Sequence, residues 1–150
     1  MKKLSLSLIL FFCMNIVFAS SVNNEQAQIK QTTEQWSIAL SSKHPQKIVA
    51  LYADNAYLYA TFENMLDNKE QILKYFTKLM KKPNLKVTFN RENIRIFGET
   101  AINSGAYTFS YRGEDGEVAV PARYTFVYTH TPNGWLIVEH HSSVLPSQSK

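Results

Sequence analysis

The fold of this chain is decided by residues 122–143, ARYTFVYTHTPNGWLIVEHHSS. In the first half, small or aromatic residues at 122, 124, 126 and 128 alternate with polar or branched residues, which is typical of a strand with two different faces. Asn133-Gly134 then predicts a tight hairpin, because this pair accepts the positive φ that such turns need. The second strand runs from Trp135 to Val144. We therefore expect two long antiparallel strands joined by a hairpin.

Two more strands precede the hairpin. Apolar residues alternate with polar ones from Leu85 to Ile96, up to a turn at Gly98. The next strand runs from Ala101 to Tyr111, and the turn Arg112–Gly116 leads to the first strand of the hairpin, which begins at Val118. Since this whole C-terminal part is predicted to be strand, we expect an antiparallel meander.

The N-terminal half of the domain predicts helices. Residues 23–42 lack Gly and Pro and place apolar residues near helical spacing. A short helix is expected to begin at Pro45, to carry Tyr52 on its apolar side and to end at Asp54-Asn55, a pair that favours turns. A short strand is expected over residues 56–61.

The clearest helix follows Asp67 and Asn68, either of which can cap it, with Glu70 or Gln71 as the partner in a capping box. Its apolar stripe consists of Ile72, Tyr75, Phe76, Leu79 and Met80. Helices followed by long strands predict an α+β fold, with the N-terminal helices packed on one face of a curved antiparallel sheet. Strands of this length must curl, and a curled sheet wrapped around helices encloses a cavity.

The N-terminus predicts export. Lys2 and Lys3 precede an apolar stretch from Leu4 to Phe18, and small residues follow at once, as in a secretory signal peptide. The stretch is short for a membrane span, which needs roughly 20 residues, so an uncleaved membrane anchor is the less favoured alternative. We expect residues 1–19 to be the signal peptide, residues 20–150 to form one domain, and the mature protein to be periplasmic or secreted without membrane attachment.

Composition argues against several functional classes. Cleavage removes Cys13, the single cysteine, so no disulfide or thiolate site is expected in the mature protein. Loss of Lys2 and Lys3 reduces the 16 basic residues to 14 against 12 acidic ones, which lowers the formal net charge from +4 to +2. We expect no nucleic-acid partner, no metal site and no cofactor. The sequence also lacks the Gly-rich loop, His-Arg-Asp and Asp-Phe-Gly motifs of protein kinases.

Five segments carry a resemblance to a known family. They are Tyr52–Ala56, the Gly98 turn, Gly105–Phe109, Ala122–Tyr128 and Gly134–Ser143. Together with the order of elements, they resemble the bacterial relatives of the calcium/calmodulin-dependent protein kinase II association domain. That family lies in the nuclear-transport-factor-two-like superfamily, beside ketosteroid isomerases and SnoaL-type polyketide cyclases. The resemblance implies a cone-shaped fold and self-association through the curved sheet, as a homodimer or larger oligomer.

An aromatic-lined cone suits a small hydrophobic ligand that is held by a few polar groups. The candidate ligand-binding residues are Trp36, Tyr59, Phe76, Tyr107, Arg123, Tyr124, His140, His141 and Ser142. The alternative is that the rings only pack against one another as core. The pocket arginines of the kinase association domain fall opposite Ser142 and Phe126, so the resemblance does not extend to a cationic pocket.

His140 and His141 cannot both face the cone, since neighbouring side chains on a strand point to opposite faces. Counted from Trp135, His141 shares its side with Ile137. The family resemblance instead places His140 and Ser142 inward. The alternative for the inward histidine is a hydrogen-bonded side chain with no functional role.

The resembled isomerases and cyclases suggest a catalytic alternative. Their chemistry needs a general base and hydrogen-bond donors for an oxyanion. Here Asp54 or His140 would be the base and tyrosines the donors, with a small hydrophobic ring compound as substrate. Asp54 suits a structural role better than a catalytic one, because Asp54-Asn55 makes a good turn pair.

Overall fold

The computed structural model describes the backbone of residues 5–146 and the side chains of residues 23–146. Within these residues the helices are α1 (Ser5–Ser41), α2 (Pro45–Val49) and α3 (Lys69–Leu79), and the strands are β1 (Tyr52–Tyr59), β2 (Lys86–Phe97), β3 (Thr100–Gly113), β4 (Gly116–Thr131) and β5 (Gly134–Val144). The predicted signal peptide, residues 1–19, lies outside the described side chains. Within residues 23–146, no helix is both long and apolar enough to cross a membrane.

One five-stranded sheet, in the order β1-β5-β4-β3-β2, forms the body of the domain. Strands β2 to β5 make the predicted antiparallel meander. β1 instead pairs with β5 in parallel, so the sheet is mixed and the expectation of a purely antiparallel sheet is wrong at this edge. The parallel pairing is possible because α3 and the rest of the meander separate β1 from β5 in the chain, which gives the long connection that parallel strands need.

The segment after α2 is a strand and not a continuation of the helix. Tyr52, expected on the second helix, opens β1, and Asp54-Asn55, expected to end that helix, lies inside the strand. The register slips here, because Tyr52 is opposite Ile137 whereas Tyr57 is opposite Glu139. Five residue steps on β1 therefore match two on β5, and the turn-forming Asp-Asn pair is accommodated in the resulting bulge.

Two predicted end signals are confirmed. At the start of α3, Asn68 Oδ1 accepts a hydrogen bond from the Gln71 N–H at 3.0 Å, and Gln71 Oε1 accepts one from the Asp67 N–H at 3.3 Å. The first bond is the N-cap half of a capping box, whereas the second reaches the residue before the cap and not the Asn68 N–H. The hairpin between β4 and β5 also forms, with Gly134 at a φ of 110°. Only the glycine of the Asn133-Gly134 pair uses positive φ.

The helices pack on the concave face of the sheet, as predicted. Trp36 of α1 is fully buried, with its ring centroid 6.0 Å from that of Phe76 of α3 and 5.4 Å from that of Phe126 of β4. The inner face of β4 consists of Ala122, Tyr124, Phe126 and Tyr128, all buried. Full burial of a large apolar side chain is worth about 1.5–3 kcal/mol, so this three-element contact fixes α1 and α3 against the sheet.

A bulge in β2 explains why residue 105 is a glycine. The pairing of β2 with β3 slips between Phe89 and Arg91. The bulge brings the Arg91 backbone against Gly105, where an added Cβ would overlap the Arg91 carbonyl oxygen. Bulges bend and twist the strands that contain them, so the same feature adds to the curvature of the sheet.

Candidate functional site

A cavity of about 260 Å³ lies between α1, α3 and the concave face of the sheet. Its lining residues are Trp36, Leu58, Ala60, Thr61, Phe62, Tyr75, Phe76, Leu79, Lys82, Leu85, Tyr107, Phe109, Tyr111, Val120, Ala122, His140 and Ser142. Most of them are aromatic or aliphatic. Since an apolar cavity of about 150 Å³ already holds benzene, this one has room for a one-ring compound with a short side chain.

A chain of hydrogen bonds crosses the floor of the cavity. It starts at the Trp36 indole N–H, which donates to the Tyr52 hydroxyl oxygen at 3.0 Å. The Tyr52 hydroxyl is in turn 2.9 Å from His140 Nδ1. We assign the Tyr52 hydroxyl proton to the bond with Nδ1, because this buried hydroxyl has no other acceptor among its described contacts. His140 Nδ1 is therefore an acceptor, and the ring proton is on Nε2.

The chain continues on the other side of the imidazole. His140 Nε2 lies 3.4 Å from the Tyr107 hydroxyl, which donates to Ser142 Oγ at 2.6 Å. Ser142 Oγ lies 2.8 Å from Thr61 Oγ1. With the protons aligned in one direction, Ser142 donates to Thr61. The Thr61 hydroxyl proton is then available to a molecule in the cavity.

The floor of the cavity is uncharged at neutral pH. His140 is only 3% exposed, and its pKa is lowered to about 3 by burial and, to a lesser extent, by the neighbouring His141. Burial also raises the pKa of Tyr107 above its ordinary value. The accepting lone pair of neutral His140 is occupied by Tyr52, so the imidazole is not free to take a proton from a substrate.

A bulge in β5 turns His140 toward the cavity. Trp135 and Ile137 are buried, so strict alternation would send His141 inward as well. The pairing of β4 with β5 slips here and leaves Val138 without a partner. The extra residue reverses the alternation, and His140 is buried while His141 is exposed.

Comparison with known proteins identifies the family. The family model described as calcium/calmodulin dependent protein kinase II association domain matches residues 25–146. The chain belongs to this family. A solved structure described as such an association domain, from Xanthomonas campestris, is 34% identical to this association domain. The likeness covers 79% of this chain and 86% of that chain, with a TM-score of 0.74.

More distant structures share the fold. A protein of the NTF2-like family from Streptomyces avermitilis is 14% identical, with a TM-score of 0.77 over 83% of this chain and 99% of that chain. The S. rosetta CaMKII hub is 17% identical, with a TM-score of 0.68 over 80% of this chain and 96% of that chain. These likenesses confirm the predicted cone-shaped, nuclear-transport-factor-two-like fold. A comparison with curated proteins gave no match.

Five of the expected ligand-binding residues line the cavity of this association domain. They are Trp36, Phe76, Tyr107, His140 and Ser142. Tyr124 is also on the inner face of β4, but its hydroxyl donates to Asn103 Oδ1 at 3.1 Å. Asn103 also donates to Thr33 of α1 at 3.0 Å. Tyr124 therefore belongs to a second buried network, which ties α1 to the sheet outside the cavity lining.

The other three expected ligand-binding residues face away from the cavity, which corrects their placement. Arg123 is exposed because it alternates with the buried Tyr124 along β4. Tyr59 and His141 are exposed neighbours on the outer face, with ring centroids 6.4 Å apart. The sheet lies between these two side chains and the floor of the cavity.

Asp54 is not part of the cavity. Its side chain is 95% exposed, and its carboxylate pairs with Lys69 Nζ at 2.7 Å, which lowers its pKa. The described lining of the cavity includes no carboxylate. The structure therefore does not bring Asp54 together with the tyrosine donors, as isomerase chemistry of the expected kind requires.

Several polar residues of the site were not predicted from the sequence. Tyr52 completes the floor, while Thr61, Lys82 and Tyr111 line the cavity. Lys82 lies beyond the end of α3, so the helical spacing of the apolar stripe does not account for its place in the lining. Within residues 23–146, no three His, Cys, Asp or Glu side chains are grouped as metal ligands.

Proposed function

We propose that this association domain is an exported protein that binds a small, mostly apolar ligand in its cavity and assembles with itself through the outer face of its sheet. Its family and its hub neighbour support oligomerisation or ligand binding in general. The observation that carries the ligand-binding function is the neutral, hydrogen-bonded floor beneath apolar walls. Burial of the apolar surface of a ligand in such a site favours binding, and a few polar contacts select which ligand binds.

The hydrogen bonding of the floor favours recognition over proton transfer. Tyr52 occupies the accepting nitrogen of His140, and the Tyr107 hydroxyl donates its hydrogen bond to Ser142 Oγ. In the arrangement in which Ser142 donates to Thr61, the donor left at the end of the chain is the Thr61 hydroxyl. We therefore expect a ligand with a single ring or a branched aliphatic body, and with one acceptor atom for Thr61.

Fluorine NMR with two one-ring probes tests the ligand site. 4-Fluoroacetophenone carries an acceptor and 4-fluorotoluene does not. Val120→Phe adds a ring to a lining residue and should weaken both probes, whereas Val118→Phe, two residues away and outside the lining, should leave both unchanged. Thr61→Val should remove any preference for the ketone. Equal effects of Val118→Phe and Val120→Phe would contradict binding in the cavity.

The outer face of the sheet supplies the surface for assembly. Ile102 and Val127 are cross-strand neighbours there, as are Thr125 and His141. Ile102, Thr125 and Val127 are half-buried in the single chain, while the opposite face of the sheet holds the core. A second copy that covers this face would bury the remaining apolar surface, and a symmetric oligomer presents the same patch from both subunits.

Light scattering during size-exclusion chromatography tests assembly. Thr125→Arg places a charge at the centre of the outer face and should shift the protein to a smaller mass. Thr77→Arg adds the same charge to the exposed side of α3 and should leave the mass unchanged. The proposal of assembly through the outer face of the sheet is contradicted if both variants have the mass of the wild type. It is also contradicted if the wild type is a monomer at micromolar concentration.

Export is tested by the N-terminus of the protein purified from cells that express the full chain. We expect a mature chain that begins at Ser20, recovered from the periplasm or the medium. An intact chain in the membrane fraction would support the uncleaved anchor instead.

A further inference from the structure

Lys82 is the one charged side chain among the described lining residues of the cavity. It follows the end of α3 and is half-buried. Its Nζ lies 3.8 Å from the centroid of the Tyr111 ring, which also lines the cavity. A cation held over an aromatic face is attracted by the ring, so the positive charge of Lys82 is kept at the cavity wall.

The positive charge of Lys82 has no acidic partner within residues 23–146. The salt bridges there use four other lysines, namely Lys69, Lys74, Lys78 and Lys86. Lys82 also lines an adjoining groove with Lys81 and Arg112, and the one acidic residue of that groove is Glu114. Three basic residues against one acidic residue leave this side of the cavity positive.

The cavity offers a ligand hydrogen-bond donors and one cation, and no anion. A positively charged ligand is therefore repelled by Lys82 and finds no carboxylate among the described lining residues. A carboxylate gains an ion pair at Lys82, but it would lose its hydration at great cost if it were buried among the apolar walls. The favourable arrangement has the ring of the ligand inside the cavity and its carboxylate at Lys82.

From this arrangement we infer that the ligand is a small one-ring or branched carboxylic acid, bound as its anion through Lys82. The inference rests on the proposed ligand-binding function and adds the chemical class of the ligand. Lys82 is a specificity residue in it, because the apolar body of the ligand binds whether or not the charge is present.

Two matched probe pairs test the inference: phenylacetate with phenylacetamide, and 3-phenylpropionate with 3-phenylpropionamide. Affinities are measured by NMR titration of the purified protein. The better carboxylate should bind about two- to five-fold more tightly than its amide, as expected for one partly exposed ion pair. The preference should shrink when sodium chloride is raised to about 0.5 M, because salt screens exposed charges.

Three variants assign the preference to Lys82. Lys82→Met and Lys82→Gln should abolish the preference by weakening the carboxylate more than the amide, and retained binding of the amide reports that the cavity is intact. Lys81→Met removes an exposed charge that lies only in the adjoining groove, and it should keep the preference. Equal affinity for acid and amide, or a preference that survives both Lys82 variants, would overturn the inference and leave the ligand-binding function standing. Binding of neither probe of either pair would refute that function and the inference together.

Discussion

Tyr52→Phe should destabilise this association domain severely, because one hydroxyl satisfies two buried groups. The substitution leaves the Trp36 indole N–H without its acceptor at 3.0 Å and His140 Nδ1 without its donor at 2.9 Å. Trp36 is fully buried and His140 is 3% exposed, so water does not readily replace the lost partner. Each buried group that loses its hydrogen bond costs about 1–3 kcal/mol, so the two groups together cost about 2–6 kcal/mol.

Urea unfolding, followed by the fluorescence of the two tryptophans and by circular dichroism, measures the loss. Thermal unfolding should show a fall in Tm of roughly 4 °C per kcal/mol for a domain of this size. Tyr57→Phe is the matched control on the same strand, because Tyr57 is 44% exposed and makes no side-chain hydrogen bond within residues 23–146. If the two variants differ by less than about 0.5 kcal/mol, Tyr52 does not hold the floor together.

Three further perturbations follow from the described contacts. His140 has a pKa of about 3 in the folded state and an ordinary value of 6.5 in the unfolded chain. As the pH falls below about 6.5, the unfolded chain therefore takes up a proton that the folded chain excludes. The contribution of His140 to stability is complete above about pH 6.5 and is lost as the pH falls. Urea unfolding should show about 2 kcal/mol of this loss between pH 7 and pH 5, and His140→Gln should lose less over the same range; equal losses would contradict the buried neutral ring. Gly105→Ala should cost about 1–3 kcal/mol in the same assay, because its methyl meets the Arg91 carbonyl, whereas Gly113→Ala meets mainly the movable side chain of Val118 and should cost less. Asp54→Asn should leave the affinity for the one-ring probes unchanged, and a loss of binding would place Asp54 in the site after all.

The features that the sequence predicts well are those set by neighbouring residues. The alternation from Ala122 to Tyr128 depends only on the strand itself, and the inner face of β4 is buried as expected. The Asn68 cap and the Gly134 turn are likewise local, because side chain and backbone of adjacent residues decide them. Such signals also place Trp36 and Phe76 in the core.

The features that the sequence does not predict depend on partners distant in the chain. Tyr52 has helical neighbours on its N-terminal side, yet it joins the sheet because the edge of β5 is available for parallel pairing. The side chain of His140 turns inward because Val138 has no partner on β4, and no residue of β5 alone reveals that bulge. Arg123 and Tyr59 were expected at the pocket from their chemistry, but strand alternation places both outside.

The candidate site illustrates the same division. Aromatic walls could be expected from composition, whereas the order of the hydrogen bonds from Trp36 to Thr61 requires α1, β1, β3, β5 and the loop after β1 to meet. Asp54 had two interpretations from the sequence, because a turn-forming pair beside a strand is compatible with a structural role and with a catalytic carboxylate. The exposed ion pair with Lys69 identifies it as the former.

Native mass spectrometry of the purified protein, processed from the full chain, tests the central claim most directly, because it reports subunit number and bound small molecules together. We expect a dimer or larger oligomer that carries up to one small molecule per subunit, or that takes up one 3-phenylpropionate per subunit when this probe is added. The Val120→Phe variant should keep the oligomer and lose the small molecule. A monomer that carries nothing and takes up no probe would contradict both ligand binding and self-assembly.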